Sequence, residues 1–388
     1  MLFKIRNTIK ETPIGNSHNH LYNYLVEELS KYIYGQPLLV KTLATAGIAS
    51  LSGIPYHVLI LGPPGTGKTW SVHCLCKITQ LPYVRVQGNP DMLPSDVLGE
   101  VFPYYDNSAG EVRIKPLLGP IFKANGIGAG KNNLLALSED VCGILFIDEI
   151  NRMHPRTLNF LVEVMAEQHV TIKGYPKPIE VKLSVIATAN PLQDEGVFTI
   201  PTHIMDRFNI VIELDYPDEK SENLIAAFTF KRLFGVEPNP ITVAYIVKFV
   251  RTLRASKLFV ASTRIAINML EWLFLNYGST EPHHLLNMSD EEWISVARKS
   301  IKLSSDELDF LRKFVKSFKD NLSKEFLNVK NSLVKITEDE LRALYINSVV
   351  EERKELEHAF TMHHCEGADC STCGKCWKNP SVRKNNAN

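Results

Sequence analysis

The chain has 388 residues, of which 45% are apolar, so it can bury a large core and is expected to form two or three globular domains. Its 43 lysines and arginines balance its 43 aspartates and glutamates, so no global field draws it to nucleic acid or to an acidic membrane surface. Its first residues lack the apolar run of a secretory signal and no apolar stretch is long enough to cross a bilayer, so we expect a cytoplasmic protein without a membrane partner.

The chain begins with helical patterns. Residues 1–20 show no clear period and predict a mobile arm, whereas residues 21–34 predict a helix. A Gly-Gln-Pro break ends this helix, and apolar residues at helical spacing then predict a second one over residues 38–53.

A phosphate-binding loop follows, between an apolar strand over residues 56–61 and a helix. Its glycines let the backbone turn N–H groups inward, and the positive end of the helix adds to this anion site. Lys68 would reach the β- and γ-phosphates of a nucleoside triphosphate, and Thr69 would offer its hydroxyl to Mg²⁺. An ordinary Gly-Pro turn is the alternative, but it does not require this strand and helix. The loop residues are Gly62, Pro63, Pro64, Gly65, Thr66, Gly67, Lys68 and Thr69.

The next stretch predicts smaller elements. Residues 83–86 predict a short strand, residues 91–98 a helix, and residues 102–115 a β-hairpin with a polar tip. Residues 126–131 are rich in glycine, but no strand precedes them, so they predict a flexible loop rather than a second phosphate site.

Two buried strands carry polar residues at their carboxyl ends. Residues 143–147 are uninterrupted apolar and end in Asp148 and Glu149, and residues 184–188 end shortly before Asn190. Ligands bind at the carboxyl ends of such strands, and we expect the first of these strands to lie beside the loop strand. Asp148 would then hold the Mg²⁺ shell, and Glu149 would orient or deprotonate the attacking water. An acidic helix cap is the alternative, and the nearby phosphate loop disfavours it.

Strands and helices alternate up to the last strand, residues 210–214, which predicts a parallel α/β sheet. A helix from residue 155 and a hairpin over residues 170–182 lie between the two buried strands. Beyond residue 217 the patterns are helical, including residues 242–254 and 263–277.

The C-terminal part adds a helical hairpin and a cysteine cluster. Two capping boxes predict helices over residues 308–336 and 337–360. The tail then reads C-x₄-C-x₂-C-x₂-C, a spacing that suits a tetrahedral Zn²⁺ site in which His364 can replace one sulfur. An iron–sulfur cluster and a disordered redox-active tail are the alternatives. The candidate thiolate ligands are Cys365, Cys370, Cys373 and Cys376.

Several segments together resemble the MoxR family of AAA+ ATPases, in the family's order over roughly residues 30–300. The departures are Thr263, where the family usually has proline, and a longer insertion at residues 126–133. The segments that carry the resemblance are residues 34–36, 62–69, 89–96, 144–152 (Ile-Leu-Phe-Ile-Asp-Glu-Ile-Asn-Arg), 185–198, 205–208 (Met-Asp-Arg-Phe) and 261–264 (Ala-Ser-Thr-Arg).

The resemblance implies a division of the chain. Residues 1–34 would form an arm and helix, residues 35–217 an α/β P-loop NTPase core with a parallel sheet, and residues 218–300 an all-α lid. Outside the family match, the sequence patterns themselves predict a helical extension over residues 301–362 and a metal-binding tail over residues 363–388.

The resemblance also implies roles for single residues. Asn190 matches the sensor of the γ-phosphate or its water, Arg207 the arginine finger given to a neighbouring subunit, and Arg264 the second sensor. Gly35 and Gln36 match the segment that lies against adenine. The alternatives are a turn residue at the strand end for the asparagine, a surface ion pair for the first arginine and lid packing for the second.

The function implied is ATP hydrolysis at the subunit interfaces of a hexameric ring that remodels a protein client, with a partner that carries a von Willebrand factor A domain. Two hairpins, near Ser108 and Tyr175, match insertions that line or approach the central pore. A nucleic-acid motor with the cysteine tail as its DNA contact is the alternative. The zero net charge stands against it, as does the absence of an Asn-Thr-Ala-Asp string at residues 188–191. A third hypothesis is a nucleotide-gated adaptor that does not hydrolyse.

Overall fold

A five-stranded parallel sheet forms the centre of the computed structural model, which describes residues 14–106, 110–124, 141–175, 177–190, 197–256, 261–298 and 305–332. The strand order is β2-β5-β8-β1-β9, and every neighbouring pair is parallel. The predicted α/β fold is therefore confirmed. The strands are β1 (Val58–Leu61), β2 (Tyr83–Gln87), β5 (Gly143–Asp148), β8 (Leu183–Ala189) and β9 (Ile210–Glu213).

The expectation that the strand of Asp148 lies beside the loop strand is wrong, because β8 lies between β5 and β1. All seven residues of β8 and all six of β5 are buried, so apolar content suits both strands equally to the inside of the sheet. The consequence is that Asn190, which follows β8, lies between the phosphate loop and the carboxyl end of β5.

Helices cover the sheet and continue beyond it. Those predicted over residues 242–254 and 263–277 are confirmed. None of the helices in the described part of the chain has the length and apolar character needed to cross a bilayer. The helices are α1 (Ile14–Ser30), α2 (Pro37–Leu51), α3 (Lys68–Thr79), α4 (Pro94–Leu98), α5 (Pro120–Ala124), α6 (Phe160–Val162), α7 (Thr202–Met205), α8 (Glu219–Phe234), α9 (Pro240–Ala255), α10 (Thr263–Tyr277), α11 (Pro282–Asn287), α12 (Asp290–Arg298) and α13 (Ser305–Ser332).

Two helices differ from their predicted form. Helix α1 begins at Ile14, inside the predicted arm, because the buried stripe of Leu21, Leu25 and Leu29 stabilises it against the poor helix formers in its N-terminal half. The helix predicted from residue 155 is broken into a 3₁₀ turn, the short α6 and a π turn. A π turn shifts the register of the buried face.

Both predicted hairpins are present. Strands β3 (Gly99–Asp106) and β4 (Glu111–Leu118) form the first, which exposes Phe102 and Tyr105 to 50% and 62%. Strands β6 (His169–Val170) and β7 (Ile179–Glu180) form a shorter one. Ser108, the glycine-rich residues 126–131, the predicted helix over residues 337–360 and the cysteine tail lie outside the described residues.

The helices after β9 have a core of their own, rich in aromatic rings. Phe230 lies 4.9 Å from Phe234 and 5.4 Å from Phe274, and Phe249 lies 4.9 Å from Trp293, measured between ring centroids. Aromatic pairs at such distances stabilise a core beyond the area they bury. These ring contacts join α8 to α10 and α9 to α12.

Buried polar groups hold the entrance to β1. The Nδ1 atom of His57 accepts a hydrogen bond from the Val185 amide at 3.1 Å, and the His57 amide donates to Asn209 at 2.6 Å. Burial lowers the pKa of His57 to about 4, although a hydrogen bond to the Met165 backbone opposes this shift. His57 is therefore a neutral histidine in the native state at neutral pH.

Three cysteines are buried in the sheet and its helices. Burial raises the pKa of Cys74 to about 11, that of Cys76 to about 12 and that of Cys142 to about 11. The thiolate is the reactive form of cysteine, so these three thiols are inert at neutral pH.

Candidate functional site

The phosphate loop joins β1 to α3, and two of its glycines need their lack of a side chain. Gly67 caps α3 with φ at 86°, a conformation that favours glycine. A Cβ atom on Gly65 would lie 2.7 Å from the Cβ of Ser262, just before α10. The loop therefore directs the helix N-terminus inward and packs closely against the first residues of α10.

Lys68, the first residue of α3, is buried and donates to atoms around the loop. Its ammonium group contacts the carbonyl oxygens of Gly62 and Pro63, the latter at 2.8 Å, and the side-chain oxygen of Asn190 at 3.0 Å. Phosphate oxygens can replace these oxygens as the acceptors of the Lys68 hydrogen bonds. The cation thus lies at the mouth of the anion site formed by the loop.

Asp148 ends β5 and is almost fully buried, at 4% exposure. Its carboxylate accepts hydrogen bonds from the Thr69 hydroxyl at 3.0 and 3.1 Å, from the Thr188 hydroxyl at 2.5 Å and from Arg85 at 2.6 Å. A carboxylate next to a hydroxyl is an oxygen donor set of the kind that Mg²⁺ prefers. Thr69 and Asp148 therefore fit a magnesium ion bound beside phosphates.

Glu149 has a left-handed backbone conformation, with φ at 56°, which is rare for a residue with a side chain. Its carboxylate accepts from Gln87 at 2.9 Å and from Asn190 at 3.2 Å, and it pairs with Arg152 at 3.1 Å. The left-handed turn ends the strand abruptly and leaves the Glu149 side chain partly exposed at the edge of the site.

Asn190 connects the two halves of the site. Its side-chain oxygen accepts from Lys68 at 3.0 Å, while its side-chain nitrogen donates to Glu149 at 3.2 Å. The side chain of Asn151 holds the Asn190 backbone, because it donates to the carbonyl oxygen at 2.8 Å and accepts from the amide at 3.4 Å. The amide group of Asn190 is therefore oriented from both sides.

Four residues next to this site were missed in the sequence: Arg85, Gln87, Gly88 and Asn151. Arg85 lies in the middle of β2, the neighbour of β5 in the sheet, and Gln87 and Gly88 lie at and just after the carboxyl end of that strand. A Cβ atom on Gly88 would lie 2.1 Å from the backbone oxygen of Glu149. Polar residues and a glycine at a strand end were the available signal, but only the pairing of β2 with β5 brings them to Glu149.

The remaining predicted residues lie outside this cluster. Arg207 follows α7 and is exposed, and Arg264 lies in the first turn of α10, two residues after Ser262; neither guanidinium makes a hydrogen bond or ion pair with another described residue. Gln36 donates to the Asp215 carbonyl oxygen at 2.7 Å, and a Cβ atom on Gly35 would lie 2.7 Å from the Ser221 hydroxyl. This segment thus packs against the start of α8. The Zn²⁺ site predicted from His364 and the four tail cysteines lies outside the described residues and stays a prediction.

The chain is similar in sequence to known proteins. The model of the ATPase family associated with various cellular activities (AAA) matches residues 57–133 and 137–210. Chaperone MoxR1 of Mycobacterium tuberculosis is 31% identical over 220 residues, which cover 55% of this chain and 51% of that protein. YeaC of Bacillus subtilis is 32% identical over 51% of this chain and 53% of its own length, and MoxR of Paracoccus denitrificans is 30% identical over 44% and 45%. The chain spans about half the length of these relatives.

Proposed function

We propose that this chain is an AAA+ ATPase of the MoxR type, which binds ATP with Mg²⁺ and hydrolyses it to ADP and phosphate; its similarity to the AAA family model and to proteins named MoxR supports this. The observation that carries the proposal is the Asn190 side chain, which contacts Lys68 at 3.0 Å and Glu149 at 3.2 Å. A group that touches both the phosphate-binding cation and the carboxylate that activates water can respond to a γ-phosphate. A loop that only binds nucleotide would not need this carboxylate so close.

Each residue has one task in this proposal. Lys68 exchanges its carbonyl partners for phosphate oxygens, and Thr69 and Asp148 hold the magnesium ion. Glu149 orients the attacking water or takes its proton, and Asn190 positions that water relative to the phosphate. When bound, Mg²⁺ neutralises charge on the phosphates.

We further propose that hydrolysis takes place between subunits of a homo-oligomeric ring, which the family resemblance implies to be hexameric. The exposure of Arg207 supports this, since a guanidinium given to a neighbour must lie on the surface of its own subunit. Such an arginine finger contributes about 10³- to 10⁵-fold in rate. An isolated subunit is therefore expected to be nearly inactive.

The substrate of this motor, in our proposal, is a protein that it remodels, with a partner carrying a von Willebrand factor A domain. One relative is named a chaperone. Exposed Phe102 and Tyr105 on the first hairpin offer apolar area to a polypeptide, and the zero net charge disfavours a nucleic acid.

The test is affinity purification of the full chain with Glu149→Gln and ATP, since loss of the carboxylate should retain both nucleotide and client. Glu149→Gln combined with Lys68→Ala is the matched control, because it cannot hold the phosphates. We expect one enriched protein client with the first variant and none with the second, together with loss of ATP turnover by Glu149→Gln.

Two outcomes would contradict the proposal. Turnover that survives Glu149→Gln would remove the carboxylate from hydrolysis. Retention of DNA in place of a protein, with an affinity that falls steeply with salt, would favour the nucleic-acid motor.

A further inference from the structure

A buried carboxylate joins three helices of the lid. Glu222, in α8, is 1% exposed, and its oxygens accept from Arg251 at 2.8 Å, from Arg254 at 2.7 Å and from Thr263 at 2.7 Å. The two arginines belong to α9, and Thr263 is the first residue of α10. One side chain thus fixes α8, α9 and the N-terminus of α10 relative to one another.

The same cluster extends to the phosphate loop by two routes. Arg254 stacks on the ring of Tyr216, at 3.7 Å from its centroid, and the Tyr216 hydroxyl donates to the carbonyl oxygen of Pro64 at 3.3 Å. Arg254 also donates to the Ala261 carbonyl oxygen at 2.8 Å, just before the Ser262 residue that packs against the loop. Two sets of contacts therefore connect the phosphate loop with the helix that carries Arg264.

Burial and hydrogen bonding act in opposite directions on this carboxylate. Burial alone would raise the pKa of Glu222, but hydrogen bonds from Arg254, Thr263 and Arg251 outweigh it and lower the pKa. The group is therefore ionised in the native state at neutral pH. Removal of one partner from a buried charged group is costly, which makes this cluster a stiff connection.

We propose that Glu222 is a positioning residue that sets where Arg264 lies relative to the phosphate loop, and that loop and lid move together through the Tyr216 and Thr263 contacts when nucleotide binds. The proposal rests on the proposed function for its effect on turnover. Its effect on nucleotide-induced ordering of the lid does not depend on hydrolysis.

Thr263 makes the proposal testable because it differs from the proline usual in the family. Proline is compatible with the first position of a helix but has no hydroxyl to donate to Glu222. Thr263→Pro therefore keeps the helix start and removes the hydrogen bond, whereas Thr263→Ser keeps the hydroxyl. Comparison of the two separates helix capping from the contact with the carboxylate.

The experiment measures two properties of the full chain for each variant. The first is the protection of α10 amides from hydrogen exchange on addition of a non-hydrolysable ATP analogue, and the second is kcat and KM for ATP. For Thr263→Val and Thr263→Pro we expect loss of the nucleotide-dependent protection and a fall in kcat of about tenfold, with KM changed less than about threefold. Thr263→Ser should restore both properties.

A double-mutant cycle shows whether the effect runs through Arg264. If it does, Thr263→Val should lower kcat much less in an Arg264→Ala background than in the wild-type chain. Thr252→Val is the matched control, because the Thr252 hydroxyl bonds within α9, to Lys248, on an exposed face, and its loss should change neither property.

The proposal is overturned if Thr263→Val keeps wild-type kcat and protection, if the two substitutions are additive in the cycle, or if nucleotide does not protect α10 in the wild-type chain. Protection without any turnover would instead contradict the proposed hydrolysis and leave the coupling supported. Glu222→Gln is included in the comparison only if its thermal unfolding remains cooperative. If it does not, the Thr263 variants alone decide whether the proposal holds.

Discussion

At the scale of single residues, the most constrained position is the contact between Gly88 and Glu149. The left-handed backbone of Glu149 turns its carbonyl oxygen toward Gly88, where a Cβ atom would lie 2.1 Å away. Since real Cβ atoms do not approach so closely, any side chain at position 88 must displace the backbone of Glu149. The glycine is therefore part of what positions the carboxylate.

We predict that Gly88→Ala lowers kcat about 100-fold, the loss expected for a displacement of about 1 Å, while nucleotide affinity stays near that of the wild type. ATP turnover and binding of a fluorescent nucleotide would check this. Gly235→Ala is the control, because a Cβ atom on Gly235 would meet nothing within 4 Å, although the φ of this glycine is positive, at 74°. It should cost stability without an effect on turnover, and equal losses in both variants would argue against the positional explanation.

The sequence predicted the residues of the site that belong to local motifs. Lys68 and Thr69 follow from the loop pattern, and Asp148 and Glu149 from the end of an apolar run. Gln87 and Asn151 could not be found in this way, because their contacts with Glu149 and Asn190 depend on which strands pair and on a left-handed turn. The periodicity of apolar residues carries no information on strand pairing or on the left-handed turn.

At the scale of elements, the type of each strand was predictable but its place in the sheet was not. The apolar runs that form β5 and β8 are equally buried, so composition does not say which lies next to β1. The insertion of β8 is what brings Asn190 between Lys68 and Glu149. Similarly, the π turn after α6 leaves no trace in the spacing of apolar residues that predicted a regular helix.

The start of α8 gives a prediction at this scale. Asp218 caps the helix, since its side chain accepts from the Ser221 amide at 2.9 Å. We expect Asp218→Ala to destabilise α8 by about 1 kcal/mol, as loss of a capping acceptor usually does, and Asp218→Asn to have a much smaller effect. Hydrogen exchange of the first-turn amides of α8 would measure this. If these amides exchange in Asp218→Ala at the rate of the wild-type chain, the cap contributes nothing to stability.

At the scale of the whole molecule, the neutral His57 predicts a loss of stability in acid. Its pKa lies at about 4 in the folded chain, compared with 6.5 for the free side chain, so the unfolded state binds more protons between these values. The stabilising contribution is complete above pH 6.5 and is lost as the pH falls towards 4. The expected loss is about 3 kcal/mol, since one pKa unit corresponds to about 1.4 kcal/mol.

Urea unfolding at several pH values would measure this loss. His73→Gln serves as the control, because the His73 side chain is exposed on α3 and its replacement should leave the pH dependence of stability unchanged. The lowered pKa of Glu222 also makes the folded chain less stable in acid, but only below about pH 4.5, where a free glutamate begins to bind protons. A flat stability profile above pH 4.5 would therefore contradict the role of His57.

The proposed ring gives a second prediction for the whole molecule. Arg207→Ala and Lys68→Ala should each abolish turnover alone, because the first lacks the finger and the second the phosphate contact. Mixed rings contain some interfaces with an intact loop on one side and an intact finger on the other. We therefore expect turnover to reappear when the two inactive proteins are mixed under conditions of subunit exchange. Failure to recover it, or full activity of Arg207→Ala, would rule out hydrolysis in trans.

The burial of Cys74, Cys76 and Cys142 also has a practical value. Of the seven cysteines in the chain, these three should be silent toward alkylating reagents near neutral pH, so labelling reports on the C-terminal four alone. Mass spectrometry after brief exposure to a maleimide, with and without a chelator, would then count the protected sulfurs of the tail. The three buried cysteines would not have to be replaced first. A chelator-dependent gain of three or four adducts would reveal a metal at the tail, and rapid modification regardless of chelator would exclude one.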